Sequence, residues 1–142
     1  MTIKQLSIFL ENRSGTLSMV LEQIKLSKIQ LMAITIADTA EYGILRIICD
    51  EPTRAYEELK EAGVAVAISD VFAIELDNEP GSAADAIKIF SDAGISVAYL
   101  YSFLFNGKAV LIFRTNNTEE ARDAIIKNNL RGITEEELSS WI

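Results

Sequence analysis

The chain contains the same pattern twice, and that repetition constrains its fold more than any other feature. Adding 66 to a residue number finds its counterpart without a gap. Ile8, Leu10, Asn12, Gly15, Ile29, Leu45 and Ala55 become Ile74, Leu76, Asn78, Gly81, Ile95, Leu111 and Ala121. The apolar stripe Leu17, Val20, Leu21 and Ile24 becomes Ala83, Ala86, Ile87 and Phe90. Whatever one half folds into, the other half must fold into as well.

Within one half, the spacing of apolar residues gives the elements. Ile3, Leu6, Ile8 and Leu10, with Lys4, Gln5 and Ser7 between them, read as a half-buried strand, with Phe9 as an exception on the other face. Leu17, Val20, Leu21 and Ile24 follow the i, i+3, i+4, i+7 rule of an amphipathic helix running to about Ser27. Residues 29–37 and 42–49 read as a hairpin with a tight connection at 38–41. Asp50 reads as the N-cap of a second helix that has Pro52 in its first turn. Ala55, Leu59 and Ala62 mark its buried face, and Gly63 stops it in the left-handed conformation. Residues 64–69 are a fourth strand. The unit is β-α-β-β-α-β, and the second half repeats it with Asn116 as the cap and Asn129 as the stop. The expected domains are 1–69 and 70–142. No Pro/Gly/Ser linker separates them; residues 64–76 are nearly continuous strand material, broken only around Ser69 and Asp70. Such closely joined copies are expected to be related by a pseudo-twofold axis. In the tail, residues 130–133 suit a short strand. Thr134 then opens a capping box before a final helix with Leu138, Trp141 and Ile142 on its apolar side.

The stretch that carries chemistry is the first turn of each half, Asn12-Arg13-Ser14-Gly15-Thr16-Leu17 and Asn78-Glu79-Pro80-Gly81-Ser82-Ala83. Asn hydrogen-bonds in both senses, and Gly allows close backbone approach. The helix that follows offers unpaired N–H groups and a partial positive charge suited to a carboxylate or phosphate. The same residues would also build a turn that binds nothing, with Ser14 and Ser82 only helping to start the helix.

Composition removes several alternatives. A net charge of −8 and the lack of any Lys/Arg cluster argue against nonspecific nucleic-acid or anionic-membrane partners. There is no histidine, hence no triad of the usual kind, and with Cys49 as the sole cysteine one chain cannot assemble a zinc site of thiolates and imidazoles. Cys49 reads as a buried inert thiol. No pair of carboxylates suits acid–base catalysis, so no catalytic residue and no metal ligand is assigned. No apolar run approaches a membrane span, and the reading places the chain in the cytoplasm.

The turn sequences, in their β-α-β-β-α-β setting, resemble the ACT domain, as does Ala93-Gly94-Ile95 at the helix-to-strand entry. The resemblance spans essentially the whole chain as a tandem pair. It implies an α+β fold of two ferredoxin-like units with antiparallel sheets and the helices on one face. It also implies a regulatory, non-enzymatic module that binds an amino acid between paired units, with no cofactor, and that acts as a homodimer or on an associated enzyme. The site residues it suggests are Asn12, Ser14, Gly15, Thr16, Leu17, Asn78, Gly81 and Ser82. Ser14 stands where the family usually has Pro, and Ala83 where it usually has Leu, so the two turns are not equivalent. The first is preferred, because it keeps Leu17 and has N–H groups where Pro80 has none.

Tyr99, Tyr101, Phe103 and Phe105 line one face of a strand whose first-half counterparts, Ala33, Thr35, Ala37 and Thr39, are small. Tyr99 and Tyr101 are therefore further candidates, as pocket wall or as ordinary packing, and are expected to be at least half buried. Arg46 and Arg114 could meet a carboxylate or simply lie at the surface. A ligand-free scaffold that pairs through sheet edges is the alternative function.

Overall fold

The computed structural model describes residues 1–11, 13–38 and 42–141. The chain is α+β, built from antiparallel strand pairs and helices. It divides into two compact units, one of residues 4–70 with 138–142, the other of residues 1–3 with 71–137.

In the first unit, β1 (Thr2–Glu11) leads into α1 (Thr16–Leu26), then β2 (Leu31–Asp38), β3 (Tyr42–Cys49), α2 (Pro52–Glu61) and the opening residues of β4 (Val66–Asp77). The strand order is β2-β3-β1-β4. Register sets which side chains share a face. Leu6 lies opposite Ile47 and Ile8 opposite Leu45, while Ser7 lies opposite Arg46. The even-numbered β1 residues thus join Leu45 and Ile47, and this face packs on Val20 and Ile24 of α1 and on Ala55 and Leu59 of α2. Ile3 belongs to the other face, with Gln5, Ser7 and Phe9, and not with Leu6 as the apolar pattern suggested. Gln5 is 0% exposed. Its amide nitrogen donates to Ser7 Oγ at 3.3 Å, so a polar residue read as solvent-facing is buried and hydrogen-bonded. Cys49 is buried.

In the second unit, β4 pairs β6 (Lys108–Thr115), and β6 pairs β5 (Val97–Phe105). β7 (Arg131–Gly132) pairs β4, and α3 (Ser82–Asp92) and α4 (Thr118–Lys127) complete the element order before α5 (Glu135–Ser140). The core is aromatic where the first is aliphatic. Phe72 and Phe113 stack at 5.2 Å between ring centres, and Phe90 meets Phe113 at 4.7 Å. Their counterparts Leu6, Ile47 and Ile24 are equally buried. Gly132 faces the N-terminal residue: a Cβ placed there would lie 2.5 Å from Met1 Cβ.

Residues 66–77 form one unbroken strand of 12 residues, so Ser69 and Asp70 do not interrupt it as expected. The helix starts also differ. Glu51 and Asn117 occupy the N-cap positions of α2 and α4, one residue beyond Asp50 and Asn116. Asp50 Oδ1 instead accepts the Gln30 N–H at 3.0 Å and ties the start of β2 to the end of β3. The helix ends match the sequence reading: Gly63 and Asn129 sit at φ 83° and 53°. The short β7 and the Thr134 cap are also found, with Thr134 Oγ1 accepting the Glu137 N–H at 3.1 Å. The Glu137 carboxylate also accepts from Arg131.

Candidate functional site

The two candidate turns have the same backbone. Gly15 adopts φ 92°, ψ −14° and Gly81 adopts φ 89°, ψ −11°, each as the N-cap of the following helix. A left-handed residue at a helix start is a glycine position, because a Cβ would crowd its own carbonyl. The hydrogen bonds correspond one for one. Arg13 N donates to Glu11 O at 2.8 Å, and Glu79 N to Asp77 O at 2.9 Å. Met19 N donates to Gly15 O, and Asp85 N to Gly81 O, both at 3.0 Å. Neither helix has a side-chain cap hydrogen bond, so Ser14 and Ser82 do not start the helices in that way. Thr16 N and Ser82 N donate to Arg13 O and Glu79 O at 3.5 Å and 3.2 Å, and the next two amides of each helix have no carbonyl one turn back. Asn12 lies outside the described residues.

The chemistry of the two turns differs. Thr16 spends its hydroxyl locally, donating to Glu11 O and Arg13 O at 3.0 Å each, so it braces the turn. Leu17 stands outside the core at 36% exposure, beside the turn. Arg13 lies 3.1 Å from Glu11, and the first turn of α1 contains no acid. At the second turn Glu79 replaces Arg13, and Asp85 lies in the first turn of α3, where it offsets the helix's positive end. Lys108 donates to Asp77 at 2.7 Å, and that hydrogen bond holds its ammonium above the ordinary lysine range. A cavity of about 340 Å³ opens beside this turn, lined by Glu75, Asp77, Ser82, Asp85 and Arg131. Arg131 is already engaged by Glu75 and Glu137. The second turn thus stands beside a cavity with acidic residues in its lining, whereas the helix at the first turn has no acid in its opening turn.

Tyr99 and Tyr101 are half buried, as are Phe103 and Phe105. Tyr99 lies opposite Arg114 and Tyr101 opposite Ile112, whereas Leu100 lies opposite the core residue Phe113. The tyrosines therefore project from the sheet face away from the Phe113 core. Asp77 pairs with Lys108, which pairs with Phe105. Tyr101 is four residues further along β5, or roughly 13 Å at the strand rise, so within this unit the register does not bring the tyrosines to the Gly81 turn. Arg46 is half buried in a row with Ser7 and Thr35. Asp85, Lys108 and Arg131 were missed in the sequence. Asp85 could have been found from its place in the first turn of a helix; the other two needed the strand register.

A repeated α+β unit that opens each first helix through a left-handed glycine defines a class of tandem-domain proteins. The chain belongs to the ACT domain pair family, whose model matches residues 1–142. It is a regulatory module, and no catalytic family is indicated. A protein of Bacteroides thetaiotaomicron with a known crystal structure is 37% identical, with a TM-score of 0.91 over 98% of this chain and 96% of that one. The regulatory subunit of aspartate kinase from Thermus thermophilus has the same fold at 13% identity, with a TM-score of 0.60 over 89% of this chain and 96% of that one. Aspartate kinase from Synechocystis matches at 16% identity and a TM-score of 0.54, over 89% of this chain and 25% of that one. No match is found among curated proteins. Among the described residues, no helix is long and apolar enough to cross a membrane.

Proposed function

We propose that this ACT domain pair binds an amino acid at its Gly15 turn and, in doing so, regulates an enzyme of amino-acid metabolism. On this reading residues 1–69 and 70–142 are two ferredoxin-like domains. The observation that carries it is the contrast between two turns of one backbone. The turn at Gly15 has an Arg13–Glu11 ion pair and an α1 N-terminus without a first-turn acid, which favours an α-carboxylate over the more acidic second turn. The Gly81 turn has Glu79 and Asp85 in its place. Ser14 and Gly15 would offer N–H groups, Asn12 would bond the ligand's polar end, and Leu17 would cover its apolar part. Asn78, Gly81 and Ser82 form the weaker counterpart, and Tyr99 and Tyr101 remain candidate walls. An enzyme partner is supported by the fold neighbours, which are the regulatory subunit of one aspartate kinase and part of another.

A thermal-shift screen of the twenty amino acids tests this. A ligand at 100 times its dissociation constant should stabilise the protein by about 2.7 kcal/mol, a shift of several degrees. Calorimetry on Asn12→Ala and Asn78→Ala then identifies the turn: binding should be lost in the first variant and kept in the second. A flat screen, or the reverse pattern, rejects the assignment.

A second reading has its own observation. β2 and β5 end the strand order, and they expose Ile36 at 52% and Leu104 at 64%. Long edge strands bearing exposed apolar side chains invite another strand. Pairing of copies through these edges predicts a dimer by light scattering that Ile36→Lys or Leu104→Lys converts to monomer. A parent protein that is monomeric at high concentration would remove this reading.

A further inference from the structure

All four long helices stop in the same way. The residue in the left-handed position donates to the carbonyl three back, and the next residue to the carbonyl five back. Lys28 N bonds Lys25 O and Ile29 N bonds Ile24 O, and the same pair recurs at Gly63 and Val64, at Gly94 and Ile95, and at Asn129 and Leu130. Three of these positions hold Gly or Asn, the residues that tolerate the left-handed conformation. The fourth holds Lys28, at φ 56°. Its counterpart 66 residues on is Gly94. Interaction with the helix dipole does not account for it, because Lys25 already stands in the last turn of α1, as Lys60 and Lys127 do in α2 and α4, whose stops are Gly and Asn.

Lys28 lies on the rim of a groove of about 520 Å³ between the end of α1 and the start of β2. Leu21, Ile24, Ile29 and Leu31 make its floor, Lys25 and Lys28 are its two charged residues, and no acid lines it. Lys25 lies 3.6 Å from Glu22, and both are well exposed. In a chain of net charge −8, this is a locally basic lip on an apolar floor.

We propose that the α1–β2 groove binds a small carboxylate with an apolar tail and no amino group. The tail would lie on Leu21 and Ile29, and the carboxylate would meet Lys28 and Lys25. A cationic amine would face the ammonium groups of Lys25 and Lys28, with Glu22 and Asp50 beside the groove but not in its lining, so the preference runs against free amino acids. The site is separate from the Gly15 turn and stands or falls independently of it.

The test is a chemical-shift titration of the whole chain with three eight-carbon probes: octanoate, octanol and octylammonium. Octanoate should saturate, with shifts centred on Leu21, Ile29 and Leu31. It should bind at least about fivefold more tightly than octanol, with octylammonium weakest and the octanoate affinity falling as salt rises. Lys28→Asn keeps a residue that the Asn129 stop shows to be compatible. It should weaken octanoate by about two- to fivefold, leave octanol unchanged, and not lower the melting temperature. Lys25→Ala, away from the left-handed position, should weaken octanoate similarly and serves if Lys28→Asn misfolds. Equal binding of the three probes, shifts centred elsewhere, no saturation, or octanoate binding unaffected by either substitution would overturn the proposal.

Discussion

Phe113→Ala should lower the stability of the protein by about 3–5 kcal/mol. Phe113 is fully buried and touches two other rings: it stacks on Phe72 at 5.2 Å and meets Phe90 at 4.7 Å. Its removal would forfeit the ring's own burial and both aromatic contacts. It would also leave a void lined by side chains on β4, β6 and α3, which regular backbone structure prevents from closing in. Urea denaturation followed by circular dichroism measures this. A loss below about 1 kcal/mol would mean that the Phe72–Phe90–Phe113 cluster is not tightly packed. Phe113→Leu, which retains much of the volume, should lose markedly less.

Leu59→Ala and Leu17→Ala should part company, although both leucines sit on the apolar stripe of a helix. Leu59 is 1% exposed and joins α2 to the first core, with Leu45 and Ala55 among its cluster. Truncating it should cost about 2–5 kcal/mol. Leu17, at the start of α1, stands outside that cluster. Leu17→Ala should change stability by no more than about 0.5 kcal/mol, while weakening an amino acid held at the Gly15 turn. Parallel melts and calorimetric titrations separate the two effects. Equal destabilisation would place Leu17 in the core; unchanged ligand affinity would remove its role in the site.

Helical periodicity alone does not separate these two leucines. The stripe rule marks a direction around the helix axis, and Leu17 lies on the correct side, yet it is 36% exposed and stands outside the core cluster. The burial of Gln5 has the same origin. Alternation assigned β1 one apolar face and one wet face, and a strand read by itself carries no information on what covers its second face. The cap of α2 shifted by one residue where Asp50 had a competing partner, the Gln30 amide, 20 residues away in sequence.

Much of this protein was nevertheless determined locally. The 66-residue offset, the β-α-β-β-α-β order, the left-handed stops at Gly63 and Asn129 and the two glycine turns follow from steric limits on φ and from the match of apolar spacing to 3.6- and 2-residue periods. These depend on a residue and its near neighbours, so the sequence alone suffices. What only the tertiary structure decided is the electrostatic character of the two turns and which residues stand beside them. Lys108 reaches Asp77 across a strand pair, and Arg131 is drawn to Glu75 across another. Lys28, unremarkable as one lysine among several, becomes informative only once its φ and the groove beside it are known. Charge acts through space over several ångströms, and strand register, set by side chains far apart in the chain, decides which charges come within that range.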